Sequence, residues 1–210
     1  MWSRPFTERR VLRLAALCLA GLLAGCGSLP SAPAPEQATG VPSTLPAAAL
    51  TQYEQAVAAM AAGDAVEAEL RFAEFLLRYP DVPGAHVNMA ILKAAQGDEQ
   101  AAESSLDAAL ALDPAHAVAL NQLGMLRRRQ GRFDAAEDAY LAAVAADPAY
   151  ALPHYNLGVL NELYLQRLEA ALMHFERYRA LAGEDKLVDR WIVDLERRIA
   201  ANQRTANVTE

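Results

Sequence analysis

The sequence predicts an all-α fold made of four helical hairpins stacked one on the next. Three observations predict it. Gly63, Gly97 and Gly131 stand 34 residues apart, and Pro80, Pro114 and Pro148 keep the same period. Ala68, Ala102 and Ala136 repeat it again, as does the bulky series Phe72, Leu106 and Tyr140. A period of this size marks an array in which each unit is one supersecondary element. A single hairpin cannot bury its apolar face alone, so the units must stack.

The first 26 residues follow a different plan. Arg4, Arg9, Arg10 and Arg13 make a basic leader, Val11 to Leu23 a short, mostly apolar core, and Leu23-Ala24-Gly25 leads into Cys26. That is the layout of an export signal that is removed. The core falls short of the roughly 20 apolar residues a membrane-spanning helix needs. The pattern resembles the bacterial lipoprotein signal. The resemblance implies that residues 1–25 are cleaved and that Cys26 begins the mature chain, acylated on thiol and amine. Two or three acyl chains make a stable anchor where one does not. Gly27 stands where an aspartate often retains such proteins in the inner membrane. The implied address is therefore the periplasmic face of the outer membrane of a Gram-negative cell.

Composition agrees with that reading. The cysteines are Cys18, lost with the signal, and Cys26, acylated, so none remains for a disulfide, a thiolate metal site or redox chemistry. Removing residues 1–25 takes away four arginines and one glutamate, leaving 15 basic and 25 acidic residues and a net charge of about −10. An acidic domain is poorly suited to nucleic acid.

Residues 27–48 contain Pro30, Pro33, Pro35, Pro42 and Pro46 with serines and threonines between them and no apolar period. Residues 26–48 thus read as lipidated cysteine plus tether, whose 22 residues after Cys26 span roughly 70 Å at most in polyproline form.

The repeats divide as 49–82, 83–116, 117–150 and 151–185. In the first three, a glycine able to take the left-handed conformation ends the first helix, and a proline ends the second. Small alanines let the helices cross closely, and Phe72, Leu106 and Tyr140 fill the space between neighbours. The fourth unit departs from the pattern. Gly158 to Ala171 is one residue longer than Gly124 to Ala136, Gln166 stands near the missing turn glycine, and Gly183-Glu184-Asp185 replaces the closing proline. A bulged helix junction is expected there. Over 186–203, Leu187, Val188, Trp191, Ile192, Leu195 and Ile199 recur at helical spacing behind Asp185 as a cap. This helix reads as the polar cover that terminal repeats need, with Trp191 as packing, and residues 204–210 as a frayed tail.

These positions resemble the tetratricopeptide repeat. Residues 117–150 carry the resemblance best, through Leu120, Leu123, Gly124, Gly131, Phe133, Ala136, Tyr140, Ala143 and Pro148. It implies a right-handed α-solenoid whose first helices line a concave groove. Carried over residue by residue, the groove positions are Val87, Ile91 and Ala94; Asn121, Met125 and Arg128; and Tyr155, Val159 and Glu162. Arg129 belongs to a basic triplet, Arg127 to Arg129, beside them. Two readings of the triplet stand. A planar guanidinium pairs bidentately with a partner's carboxylate, or the arginines are a solvated helix end favoured by the dipole. Likewise Met125, Tyr155 and Val159 are either apolar anchors or interior residues.

No catalytic set is expected. No metalloprotease, phosphate-loop or serine-elbow motif occurs, and Asp113-Pro114 and Asp147-Pro148 recur with the repeat as turn residues. His86 and His154 stand two periods apart and read as packing or rim residues rather than as a pair; Asn88 and Asn156, with Gln122 equivalent, read as scaffold. The chain is therefore expected to need no cofactor or metal and not to be an enzyme. The expected function is a membrane-anchored scaffold that holds a helix or extended segment of another envelope protein in the groove. The resemblance extends to repeat-bearing lipoproteins of type IV and Flp/Tad pilus assembly, which implies work on an envelope machine such as a pilus. The alternative is a structural lipoprotein that associates with itself.

Overall fold

The computed structural model describes residues 45–208. The signal, Cys26 and most of the tether lie outside the described residues. Nine helices occur among those described: α1 (Ala47–Ala61), α2 (Ala65–Arg78), α3 (Pro83–Ala95), α4 (Glu99–Leu112), α5 (Ala117–Arg129), α6 (Phe133–Ala146), α7 (Ala151–Leu163), α8 (Leu168–Ala182) and α9 (Lys186–Val208). None is long and apolar enough to cross a membrane. Odd-numbered helices up to α7 are the first, or A, helices of the four hairpins, and even-numbered ones the second, or B, helices. Each hairpin packs internally and against the next, and the A helices α3, α5 and α7 also touch in sequence.

Local chemistry sets the junctions. Gly131 ends the α5 turn at φ 74, and Gly63 and Gly97 occupy the same place. At the far ends of α4 and α6 the residue before proline leaves helical space: Asp113 and Asp147 both have φ −139, as the ring of the following proline requires. Their carboxylates accept from Ala115 N at 3.1 Å and Ala149 N at 2.9 Å, closing the turns. The B helices start in two ways. Asp64 and Asp98 cap α2 and α4 by accepting from Glu67 N and Ala101 N, each at 3.0 Å. Arg132 and Arg167 occupy those places before α6 and α8 without a side-chain cap bond. Instead they reach back to the preceding repeat, to Glu103 at 3.3 Å and Glu137 at 2.9 Å. The cap is exchanged for a bridge between repeats.

The fourth hairpin carries the expected bulge. Gln166 takes the turn position at φ 55. Arg167 N bonds Asn161 O, six residues back, at 2.8 Å, where the α5 turn reaches back five, from Arg132 N to Arg127 O. The wider loop absorbs the extra residue.

The core is a string of local clusters. Ala49, Tyr53, Phe72 and Phe75 anchor the first; Val87, Leu106, Leu123 and Leu126 the second; Tyr140, Leu157 and Leu160 the third; Phe175, Val188, Ile192 and Leu195 the last. Each unit thus depends on its neighbours. Leu45 packs on the first cluster and α1 begins at Ala47, so the folded array starts slightly before residue 49.

Asp185 caps α9, accepting from Leu187 N at 2.9 Å and Val188 N at 3.2 Å. Trp191 is half-buried against Tyr155 and Phe175. The expected frayed tail is corrected in part: α9 continues through Val208, because Asn202 to Ala206 contain no glycine or proline to stop it.

Candidate protein-binding face on the A helices

The predicted groove residues divide into two sets. Val87, Asn121 and Tyr155 hold equivalent places in three A helices, and they are 0 %, 1 % and 8 % exposed. They are therefore interior, not groove-lining. Asn121 Nδ2 donates to Tyr150 Oη at 3.1 Å, and Asn156 Nδ2 donates to Asn121 Oδ1 at 2.9 Å. Asn88 Nδ2 donates to Tyr53 Oη at 2.9 Å between the first two repeats. These bonds knit successive repeats, and a buried amide left without them would cost about 1–3 kcal/mol. Tyr155 lies between Tyr178 and Trp191, with ring centroids at 5.3 and 5.9 Å. The cap helix also claims the rest of the α7 set. Val159 packs on the terminal cluster, and Glu162 pairs with Arg198 of α9 at 2.7 Å. The reason is common to all: these positions meet the next helix of the array.

Met125, Arg128 and Arg129 of α5 remain accessible. Met125 is half-buried against the third cluster. The arginine triplet forms the last turn of α5, but its members differ. Arg127 donates to Ala135 O at 3.2 Å. Arg129 donates to Ala94 O at 3.4 Å and stands 3.9 Å from Glu99. Neither Arg127 nor Arg128 makes an ion pair among the described residues, and the Nε of each is buried without a hydrogen-bond partner. Arg127 has the Ala135 carbonyl, while Arg128 faces aromatic rings. Its guanidinium lies 5.9 Å from the Tyr164 ring centroid, a cation–π arrangement. Burial pushes the Tyr140 hydroxyl up to about 12, and Arg128 beside it acts in the opposite sense. Burial also raises Tyr155, and Arg128 again opposes the shift. Tyr164 and Tyr140 therefore lie beside one half-buried cation.

The histidines hold a contact that the repeat period does not signal. His86 bonds Pro80 O at 2.7 Å, and His116 Nδ1 accepts from Ala119 N at 3.2 Å to cap α5. His154 of α7 meets His174 of α8, with Nδ1 to Nδ1 at 3.1 Å. Their places in the third repeat belong to Leu120 and Ala139, so periodicity carries no signal for the pair. No group of three or more histidine, cysteine or acidic residues that could hold a metal occurs among the described residues.

Two family models match the sequence of this array. One described as Tetratricopeptide repeat covers residues 83–116, and one described as TPR repeat covers 124–163. Those two stretches carry tetratricopeptide repeats. The chain's fold is an all-α solenoid of such repeats, an architecture that serves protein–protein interaction. Among solved structures, PilF of Pseudomonas aeruginosa is similar at TM-score 0.67 and 22% identity, over 73% of this chain and 70% of that one. MamA of Desulfovibrio magneticus RS-1 is similar at TM-score 0.61 and 23% identity, over 77% of this chain and 91% of that one. The first tetratricopeptide-repeat domain of Spaghetti (RPAP3), bound to the HSP90 peptide SRMEEVD, is similar at TM-score 0.53 and 20% identity, over 56% of this chain and 95% of that one. No curated protein matches the sequence.

Proposed function

We propose that this chain is an envelope lipoprotein, anchored through Cys26, that holds a segment of another envelope protein against the A-helix face of its third repeat. Arg128 carries the reading. A half-buried guanidinium without a carboxylate partner is costly to keep, and a client's carboxylate would supply the missing partner. Met125 offers apolar contact beside it. Arg129 adds positive charge in an acidic domain. The peptide held by the Spaghetti domain gives a precedent on this fold for binding a short acidic segment. The likeness to PilF favours a client in a pilus or related envelope machine.

The test is affinity capture from detergent-solubilised envelopes with wild type and Arg128→Glu, the fold of both checked by circular dichroism. A specific envelope protein retained by wild type and lost by the folded variant supports the reading. Equal retention by both sinks it.

Self-association is the second reading, and one observation favours it. Val66, Leu70 and Leu77 lie on one face of α2 at 80 %, 55 % and 86 % exposure. The first two have polar counterparts in the next repeats, Gln100 and Asp134 for Val66, Ser104 and Asp138 for Leu70. A dimer in sedimentation that Leu70→Asp dissolves would support it.

A further inference from the structure

We propose that the His154–His174 pair makes the α7–α8 hairpin an acid-sensitive joint, through which proton uptake loosens the last repeat together with its α9 cover. The geometry requires at least one Nδ1 to be unprotonated. At 3.1 Å, one ring donates its Nδ1–H and the other accepts on Nδ1. A first extra proton can sit on a far nitrogen and leave that bond intact. A second puts two N–H groups and two positive charges face to face.

The surroundings do nothing to relieve this. The rings are 8 % and 9 % exposed. Burial first, and then the charge of Arg177, lower His154; burial and His154 lower His174, to about 4. Among the flanking elements, Asp147, Tyr178 and Asp189 have partners of their own. Asp147, at the end of α6, accepts from its own turn. Tyr178 of α8 donates to Asp185. Asp189 of α9 faces Arg179. Both histidines thus fall below the ordinary value near 6.5, and the sign follows. The stability they permit is complete above pH 6.5 and is lost as pH falls from there through about 4, because the unfolded state takes up protons first. The loss is directed to one end of the array. His154 and His174 directly precede Tyr155 and Phe175, which pack with Val188, Ile192 and Leu195 of α9 in the terminal cluster.

The chain supplies its own control. His154→Leu with His174→Ala copies Leu120 and Ala139 of the third repeat. Amide hydrogen exchange of the full chain, corrected for the intrinsic pH dependence of exchange, is compared at pH 7 and pH 5. Protection of α7–α9 is expected to fall about tenfold or more in wild type, to change less than twofold in α1–α4, and to hold in the double variant. A uniform loss along the array, or the same terminal loss in the double variant, overturns the proposal. Should the double variant not fold, imidazole titration of wild type by NMR decides. Two rings titrating near 6.5 overturn the proposal. Two rings titrating well below it, with α7–α8 shifts following them, support it.

Discussion

Gly158 of α7 lies directly under the ring of Phe175 of α8: a Cβ built on the glycine would meet Phe175 Cδ1 at 2.6 Å and Cζ at 2.8 Å. The same contact recurs one repeat earlier, where a Cβ on Gly124 would meet Tyr140 Cδ1 at 2.5 Å. The aromatic residue on the B helix and the missing side chain on the A helix are one device, and it sets how closely each hairpin closes.

Gly158→Ala should therefore destabilise the protein, although alanine is the better helix former. The propensity gain is about 1 kcal/mol. The displaced Phe175 ring is fully buried, and overpacking of this kind costs about 1–3 kcal/mol. A lower urea midpoint is expected, and a midpoint equal to or above wild type would show that the ring can move aside.

Gln166 holds a left-handed backbone that glycine holds in the first three repeats. A residue with a side chain pays about 1–2 kcal/mol there, while glycine gives back about 0.4–1 kcal/mol through its freer unfolded state. Gln166→Gly is predicted to raise the urea midpoint modestly and Gln166→Val to lower it. The reverse order would mean that the wide turn is not strained at this residue.

Tyr53 and Tyr140 are 2 % and 0 % exposed, and burial pushes both hydroxyls up to about 12. A folded value above the unfolded one, near 10, means stability that is whole below pH 10 and lost as pH rises through 12. The loss is on the order of 1 kcal/mol per tyrosine per pH unit in that window. Unfolding above pH 10, with phenolate absorbance rising together with loss of helix, is the expected result. Full phenolate absorbance from all seven tyrosines near pH 10 with the helix content intact would contradict it.

Much of this was legible in the residues. The 34-residue period predicts the hairpins and their turns, and the break at Gln166 predicts the bulge. The period says which residues are equivalent but not at what angle successive A helices meet. That angle takes Asn121 and Tyr155 out of the groove and into the interior, and it turns Glu162 toward Arg198. The His154–His174 contact was invisible for a related reason. It joins two helices of one hairpin at positions where the neighbouring repeat has Leu120 and Ala139, so nothing recurs. The unpaired state of Arg128 depends on which carboxylates its neighbours claim, and only the packed array decides that.

On the proposed function, a client lies against the α5 face of the array. The most direct test places a photo-crosslinking residue at Met125 or at Glu176, an exposed position on α8, in the native cell. A heterologous envelope protein crosslinked from position 125, absent from position 176 and lost with Arg128→Glu, is the predicted result. Equal crosslinking from both positions, or crosslinking from 125 that survives Arg128→Glu in a folded protein, would contradict the account.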